Sequence, residues 1–401
     1  MAAAAQNDWR RALTATERFN NIQSIEKAAH PAALTASAFT LENDAYTSSS
    51  SREDYNAACA LLAAPPGSTL GGESSTIANE DEDNDDASGI DIGAYKDCRY
   101  LASGTSADVY RSGTVALKVC TIGLDCAPHS VYREAKILKQ LQTSSASSNI
   151  IQLQETFHDA EQQLVLVLPY MPLTLQAVLQ NNGDNKIPRK RLQSYFVDIL
   201  SALVDVHRQG IIHRDVKPSA TLLKSIDGPA YLSDFGTAWH PEFSVSDEPA
   251  DTKVLDIGTG PYRAPEVLFG SQAYGASVDM WAVGAMLAEC ARPAPHKPLF
   301  ESRAVHEDGN QLGLILSIFK TIGTPTLESW PEAASFRTPP FEMYRVFEPQ
   351  PWEAILSDVD EDVRDIVACL VKYNSTRLTA EQVSVMIATE TTSSLDNVGR
   401  N

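Results

Sequence analysis

The hydrophobic pattern of this chain changes character along its length, and the change limits the folds that it can adopt. Between residues 99 and 168, apolar and β-branched residues occur in short runs, which one helical segment, Ser130–Leu141, interrupts. Beyond Leu173, apolar residues instead recur every three or four positions, as in residues 191–210. A small antiparallel sheet carrying one helix is therefore predicted, followed by a larger helical region. The predicted strands are Arg99–Leu101, Ala107–Arg111, Thr114–Cys120, Ile150–Phe157 and Gln163–Leu168.

These patterns predict an α+β fold class and divide the chain into three parts. Residues 96–390 are expected to form the folded domain, with a small β-rich lobe at about 96–170 and a larger α-helical lobe at about 171–390. Residues 1–95 form an N-terminal extension, and residues 391–401 form a C-terminal tail. Two further buried helices are predicted at residues 278–290 and 312–321.

The extension differs from the rest of the chain in its charge. It contains fifteen Asp and Glu against five Lys and Arg, and near its end lies the acidic run Glu80–Asp86. Because like charges repel and resist packing, most of the extension is predicted to be flexible, apart from a helix-like stretch at Arg10–Ala29. The simplest interpretation of the acidic run is a solvated spacer.

The overall composition argues against several classes of protein. A formal net charge of −20 disfavours nucleic acid or an anionic membrane as the main partner. No apolar run approaches the ~18 residues that a membrane-spanning helix needs. The six cysteines are scattered and form no C-x-x-C pair, which is typical of reduced intracellular thiols. A cytoplasmic or nuclear location, or both, is expected.

Five short motifs occur in a fixed order within the predicted domain. They are VALK at 115–118, Glu134 on the following helix, HRDVKP at 213–218, DFG at 234–236 and APE at 264–266. This ordered set resembles the signature of the eukaryotic protein kinases, and the resemblance covers roughly residues 96–390. It implies the bilobal kinase fold, ATP and Mg²⁺ as cofactors, and a protein substrate.

The resemblance also implies a role for each motif in phosphoryl transfer, which depends on positioning and on charge neutralisation. Lys118, held by Glu134, is expected to contact the α- and β-phosphates, and Asp234 is the expected Mg²⁺ ligand. Asp215 is the expected base for the acceptor hydroxyl. The implied catalytic residues are Asp215, Lys217 and Thr259, and the implied ATP-binding residues are Leu101, Ala102, Gly104, Val109, Ala116, Lys118, Glu134, Leu168 and Met171.

Two of these assignments compete with a simpler one, because the apolar Leu168 and Met171 could equally be ordinary core residues. Lys217, followed by proline, is typical of Ser/Thr kinases rather than tyrosine kinases. Three more residues are given structural roles by the resemblance. Glu266 is expected to form a buried ion pair with Arg377, and Asp279 is expected to hold the catalytic-loop backbone from beneath.

Other segments narrow the resemblance to the cyclin-dependent kinase group. They are VDMWAVG at 278–284 and GTPTLESWP at 323–331. Residues 259–270, TGPYRAPEVLFG, most resemble the single-subunit fungal kinases that phosphorylate the activation loops of cyclin-dependent kinases. Residues 128–134, PHSVYRE, keep only the proline and the Arg-Glu end of the cyclin-binding signature. The resemblance therefore implies a monomer that needs no cyclin and acts on cyclin-dependent kinases in cell-cycle or transcription control.

The chain departs from the family pattern in its nucleotide and metal sites. Ala102 and Ala107 replace the first and third glycines of the phosphate-covering loop, and their methyl groups are expected to raise the KM for the nucleotide. Ala220 replaces the asparagine that holds a second Mg²⁺. Ser219, Thr221 or water would then complete the metal shell, and dependence on a second metal should be weaker.

A further departure concerns regulation, because Val254 stands where cyclin-dependent kinases carry an activating threonine. Arg214 would normally pair with the phosphate on that residue. We hypothesise that an acidic side chain replaces the phosphate and keeps the enzyme active. The candidates are Asp247, Glu248 and Asp251, with a solvated acidic loop as the alternative interpretation.

Two other functions are compatible with parts of the sequence. A pseudokinase scaffold with weak or no catalysis would account for Ala102, Ala107 and Ala220. Retention of Lys118 and Asp215, with the other charged groups of the motifs, favours an active enzyme instead. A small-molecule kinase on the same fold is disfavoured by Thr259 and residues 262–266, which the resemblance implies form the platform for a peptide substrate.

Overall fold

The computed structural model describes residues 45, 52–62, 89–103, 107–120, 127–144, 149–181, 185–302, 311–341 and 345–387. The chain divides into two compact units, residues 1–85 and 86–401. In the first unit, helix α1, Arg52–Leu62, buries Tyr55 and Cys59 in a small cluster with Ala45. The helix predicted at Arg10–Ala29 and the tail at 391–401 lie outside the described residues.

The second unit begins with a six-stranded antiparallel sheet in the order β1-β2-β3-β4-β6-β5. Alternate residues of β6 enter two different apolar clusters, because successive side chains of a strand point to opposite faces. Val165 and Val167 join one cluster, and Leu164 and Leu166 join the other. The strands are β1, Ile90–Ile92; β2, Tyr95–Ser103; β3, Ala107–Ser112; β4, Val115–Cys120; β5, Glu155–His158; and β6, Leu164–Pro169.

Helix α2, Val131–Ser144, packs on this sheet, as the sequence predicts. Its buried residues Ile137, Leu138 and Leu141 recur at spacings of three and four and enter the larger apolar cluster. Strand β1 has no counterpart among the five predicted strands. It lies inside the segment assigned to the N-terminal extension, whose boundary near residue 95 stays a prediction.

The rest of the second unit is mainly helical, with a three-stranded sheet, β7-β8-β9, near its start. A bilobal α+β fold is thus confirmed. No helix within the described ranges is long and apolar enough to cross a bilayer. The elements are β7, Leu173–Thr174; α3, Leu175–Asn181; α4, Arg189–Arg208; β8, Thr221–Leu223; β9, Ala230–Leu232; α5, Pro265–Leu268; α6, Ser277–Ala291; α7, Leu312–Ile322; α8, Trp352–Ile355; and α9, Glu361–Leu370.

Helix α6 is the central helix of this lobe, and all but its first residue are buried. Gly284 permits the close approach of α9, because a Cβ atom at this position would lie 2.7 Å from Leu370 Cβ. Two connections contact α6. One is the chain between α4 and β8, and the other is the chain after β9. These two connections carry all three predicted catalytic residues, Asp215, Lys217 and Thr259.

Candidate active site

The connection between α4 and β8 is fixed from below by a buried carboxylate. Asp279 of α6 accepts hydrogen bonds from the backbone N–H groups of His213 at 2.9 Å and Arg214 at 2.7 Å. Arg214 has a φ of 70°, a left-handed conformation that is costly for a residue with a side chain and persists where surrounding contacts impose it. The expected role of Asp279 is therefore confirmed, and it sets the position of the neighbouring Asp215.

Asp215, Lys217 and Thr259, the three predicted catalytic residues, lie within hydrogen-bonding distance of one another. The Thr259 hydroxyl donates to Asp215 Oδ1 at 2.6 Å, and Lys217 Nζ donates to Asp215 Oδ2 at 2.5 Å. Lys217 Nζ also donates to Thr259 Oγ1 at 2.9 Å. The arrangement places a carboxylate, an ammonium group and a hydroxyl where they can orient and deprotonate an acceptor hydroxyl.

A second charged cluster joins the two lobes of the site. Lys118 Nζ of β4 lies 2.7 Å from Glu134 Oε2 of α2 and 2.9 Å from Asp234 Oδ1. Burial would lower the pKa of Lys118, but the two carboxylates more than offset it and hold that pKa above its ordinary value. The Lys118 ammonium in turn holds the pKa of the Asp234 carboxyl well below its usual range. Both groups are therefore charged near neutral pH.

Asp234 is held in a turn that directs it towards this cluster. Its backbone is left-handed, with φ 61° and ψ 63°. Two residues on, the Gly236 carbonyl accepts a hydrogen bond of 2.9 Å from the Ser130 N–H, one residue before α2 begins. Helix α2, which carries Glu134, is thus attached to the turn that carries Asp234. Contacts within this one chain bring the ion pair and Asp234 together.

The donor set fits one Mg²⁺ ion better than two. Asp234 has 48% of its side chain exposed and can offer a carboxylate oxygen, and Mg²⁺ commonly binds one or two carboxylates together with phosphate oxygens and water. Ala220 is buried and offers no side-chain oxygen. Thr221 is fully buried and donates its hydroxyl to the Lys217 carbonyl at 3.3 Å, whereas Ser219 is exposed. Thr221 is therefore the weakest of the three proposed replacements for the missing asparagine.

Within the described ranges, acidic clusters elsewhere offer no alternative metal site. Among the residues that the structure describes, no group of three or more His, Cys, Asp or Glu is placed to hold a metal ion. Asp234 stays the expected protein ligand of Mg²⁺, with phosphate oxygens and water completing the shell.

Substituting Ala220→Asn tests the altered metal site. The new side-chain oxygen should introduce a second metal ligand and strengthen metal binding. The half-saturating Mg²⁺ concentration should therefore fall by about 10-fold or more, the usual change in metal affinity when residues around a metal are substituted. Activity would be titrated against Mg²⁺ at fixed ATP for both proteins. Identical titration curves would contradict the weaker dependence on a second metal.

The predicted nucleotide-binding residues line up across four neighbouring strands, β2, β3, β4 and β6. Ala102 lies opposite Val109, Val109 lies opposite Lys118, and Ala116 lies opposite Leu168. This register brings side chains that are far apart in the sequence to one end of the sheet. Leu101 is exposed, and Leu168 and Met171 are half-buried and packed against the main core, so their assignment to adenine binding stays a prediction.

The two alanines of the phosphate-covering loop differ in their surroundings. Ala107 is buried in the main apolar cluster, so the core accommodates its methyl group. Ala102 is exposed on β2, where the pairing with β3 has an irregularity between Tyr100 and Ala102. Gly104 lies outside the described residues. The expected effect on the nucleotide KM therefore rests mainly on Ala102.

The segment that precedes α5 forms a platform beside Asp215. The hydroxyl of Tyr262 donates to Glu289 Oε2 of α6 at 2.5 Å, and both residues are buried. Arg263 Nη2 donates to the Gly258 carbonyl at 2.9 Å. Glu289 was not singled out from the sequence, because its role depends on the α6 face that packs beneath this segment.

The predicted pair of Glu266 and Arg377 is confirmed. Arg377 Nη1 and Nη2 donate to the two carboxylate oxygens of Glu266 at 2.5 and 2.9 Å. Arg377 also donates to the backbone carbonyls of Ser277 and Lys372. This pair fixes the end of the platform to the rest of the large lobe.

Comparison with known proteins agrees with this geometry. The family profile described as protein kinase domain matches residues 95–386. The serine/threonine-protein kinase csk1 of Schizosaccharomyces pombe is 32% identical over 294 residues, which is 70% of this chain and 89% of that protein. A solved structure of the CAK complex from Chaetomium thermophilum bound to ATP-γ-S includes a chain with 28% identity and a TM-score of 0.60, covering 74% of this chain and 88% of that one. The chain belongs to the protein kinase family, as a serine/threonine kinase.

Proposed function

We propose that this kinase phosphorylates the activation loops of cyclin-dependent kinases and does so as a monomer without a cyclin. The observation that carries the second part is the hydrogen bond from Ser130 N–H to the Gly236 carbonyl, which attaches α2 to the Asp234 turn within one chain. The choice of substrate is supported by the similarity to a chain of the CAK complex and by the resemblance of residues 259–270 to the single-subunit fungal kinases. CAK denotes cyclin-dependent-kinase-activating kinase.

The charged groups of the site suit the binding of ATP. In this proposal Lys118, fixed by Glu134, binds the α- and β-phosphates. Its neighbours on the sheet, Ala102, Val109 and Ala116, also contact the nucleotide. Asp234 would hold Mg²⁺, which when bound would neutralise part of the phosphate charge. Leu168 and Met171 are proposed to contact the adenine where the two lobes join.

Phosphoryl transfer then follows from the cluster around Asp215. A serine or threonine hydroxyl of the substrate approaches the γ-phosphorus, and Asp215 orients it and accepts its proton. As the new P–O bond forms, the bond to the β-phosphate oxygen breaks and ADP leaves. Lys217 offsets the negative charge on the transferred group, and Thr259 holds Asp215 and Lys217 in place.

The proposal is tested by phosphate transfer to a purified cyclin-dependent kinase in the absence of any cyclin. Radiolabelled ATP would be supplied to the native protein and to Asp215→Asn, with an acceptor whose activation-loop threonine is replaced by alanine as a control. We expect label only with the native enzyme and the intact acceptor. Equal labelling of the alanine acceptor would contradict the proposed site of phosphorylation.

A pseudokinase scaffold is the second candidate, and Ala220 is the observation that favours it. The same experiment separates the two functions if a general acceptor such as myelin basic protein is included. Label on the general acceptor alone would remove the proposed substrate and leave the kinase active. A complete lack of label on both acceptors would favour the scaffold.

A further inference from the structure

Glu248 is a buried carboxylate in the activation segment, which is the chain between the DFG motif at 234–236 and the APE motif at 264–266. It faces the catalytic loop, residues 213–218. Arg214 donates from Nη1 to Glu248 Oε2 at 2.6 Å and from Nη2 to Glu248 Oε1 at 3.1 Å. The two side chains are each 0% exposed. Paired hydrogen bonds between a guanidinium and a carboxylate are short, charge-assisted and geometrically specific. Arg214 is therefore not left as an uncompensated cation.

Glu248 also faces the helix that carries Glu134. Arg133 of α2, adjacent to Glu134, has its Nη1 atom 3.9 Å from Glu248 Oε1. On the other side, Glu248 Oε2 accepts a hydrogen bond of 3.1 Å from the backbone N–H of Val254. One carboxylate thus contacts helix α2, the catalytic loop and the distal part of the activation segment.

The local backbone holds Glu248 in this position. Its N–H donates to the Ser244 carbonyl at 2.8 Å, and its own carbonyl accepts a hydrogen bond of 2.9 Å from the Trp239 indole. Burial would raise the pKa of Glu248, but the Arg214 guanidinium, the Val254 N–H and Arg133 together more than offset it and keep that pKa below its ordinary value. The side chain is therefore ionised near neutral pH.

The three candidate acids of this segment are clearly distinguished by their exposure. Asp247 and Asp251 are exposed, whereas Glu248 is buried against the two arginines. An exposed charge is screened by water, and a buried one interacts far more strongly with its partners. Glu248 is therefore the acid whose charge interacts with Arg133 and Arg214.

We propose that Glu248 is a positioning residue that takes the place of an activation-segment phosphate, so that the catalytic loop and α2 are assembled without phosphorylation. Phosphorylated activation segments are ordered through new arginine–phosphate pairs, and here a carboxylate of the chain itself makes the pairs. The inference rests on the kinase activity and is independent of the proposed substrate.

Removing the negative charge of Glu248 would change the interaction between Arg133 and Arg214. Without the Glu248 carboxylate, the guanidinium groups of Arg133 and Arg214 would face each other in a buried, low-dielectric space, where like charges repel strongly. Movement of Arg133 would displace Glu134 from Lys118, and movement of Arg214 would displace Asp215. The effect should therefore appear mainly in kcat.

The test uses Glu248→Gln in the full chain, because glutamine keeps the volume and removes the charge. We expect kcat to fall by about 100-fold, the loss that a 1 Å misplacement of catalytic groups can cause, with a smaller change in the KM for the acceptor. Glu248→Asp, which keeps the charge, should recover part of the lost kcat. The matched controls Asp247→Asn and Asp251→Asn should leave kcat unchanged. Myelin basic protein serves as the acceptor, so the result does not depend on a cyclin-dependent kinase being the substrate.

A measurement on the unmodified protein keeps the proposal testable even if a variant fails to fold. Native enzyme produced in bacteria would be treated with phosphatase, shown by mass spectrometry to carry no phosphate, and assayed before and after treatment. We expect an unchanged kcat. Loss of activity on phosphatase treatment would overturn the proposal, as would a Glu248→Gln variant with native kcat or one whose thermal midpoint falls while kcat does not.

Discussion

Replacing Asp215 by asparagine will lower kcat by about 10²- to 10⁴-fold, the contribution usually made by a positioned general base. Asparagine has nearly the same shape, but it cannot accept the proton of an acceptor hydroxyl. It also weakens the hydrogen bonds that Asp215 receives from Thr259 at 2.6 Å and Lys217 at 2.5 Å. Steady-state phosphorylation of a general acceptor would measure the change.

The effect must be separated from unfolding and from a general effect of removing one negative charge. Asp227 is a suitable control, because it is 77% exposed and pairs with Arg191 on the surface. Asp227→Asn should retain native kcat, and both variants should melt within a few degrees of the native protein. Native kcat in Asp215→Asn would show that another group is the base.

Replacing Arg377 by methionine will lower the free energy of unfolding by about 3–5 kcal/mol, the usual cost of removing one partner from a buried ion pair. The remaining Glu266 is buried and would keep only the hydrogen bond of 3.3 Å from the Ser277 hydroxyl to Oε1, losing both that Arg377 donates. The carbonyls of Ser277 and Lys372 would also lose a donor. Urea unfolding followed by circular dichroism would measure the loss.

Two comparisons separate the loss of a buried ion pair from the general effect of removing an arginine. Arg208→Met removes a surface partner of Glu381, in a pair whose side chains are 60% and 65% exposed, and should cost only about 0–1 kcal/mol. The double variant Glu266→Gln with Arg377→Met should be less destabilised than the sum of the single variants, because it leaves no unpaired buried charge, whereas each single variant leaves one. Equal losses for Arg377→Met and Arg208→Met would contradict the structural role.

The sequence pattern predicted most of the fold, because its signals are local. The helix predicted at Ser130–Leu141 appears as Val131–Ser144, and the helix predicted at residues 278–290 appears as Ser277–Ala291. Strand β1 was missed because it has three residues, Ile90–Ile92, and follows an acidic run. Its existence depends on pairing with β2, and no local periodicity reports that contact.

The site was predictable wherever a motif fixes both residue type and spacing. Lys118 and Glu134 are an example, since a strand followed by a helix places them 2.7 Å apart. By contrast, the choice among Asp247, Glu248 and Asp251 depended on burial, which arises only when the activation segment packs against α2 and the catalytic loop. Glu289 needed the same tertiary information, because only the packing of α6 brings it to Tyr262.

The hydrogen bond between Tyr262 and Glu289 also bears on the thermodynamics of substrate binding. It ties the peptide platform to the buried face of α6, so this surface loses its conformational freedom when the chain folds. A substrate segment then meets a preorganised surface, and the ordering entropy of association falls mainly on the incoming segment. We therefore expect selectivity among protein substrates to depend on the ordering entropy that each segment loses when it binds this surface.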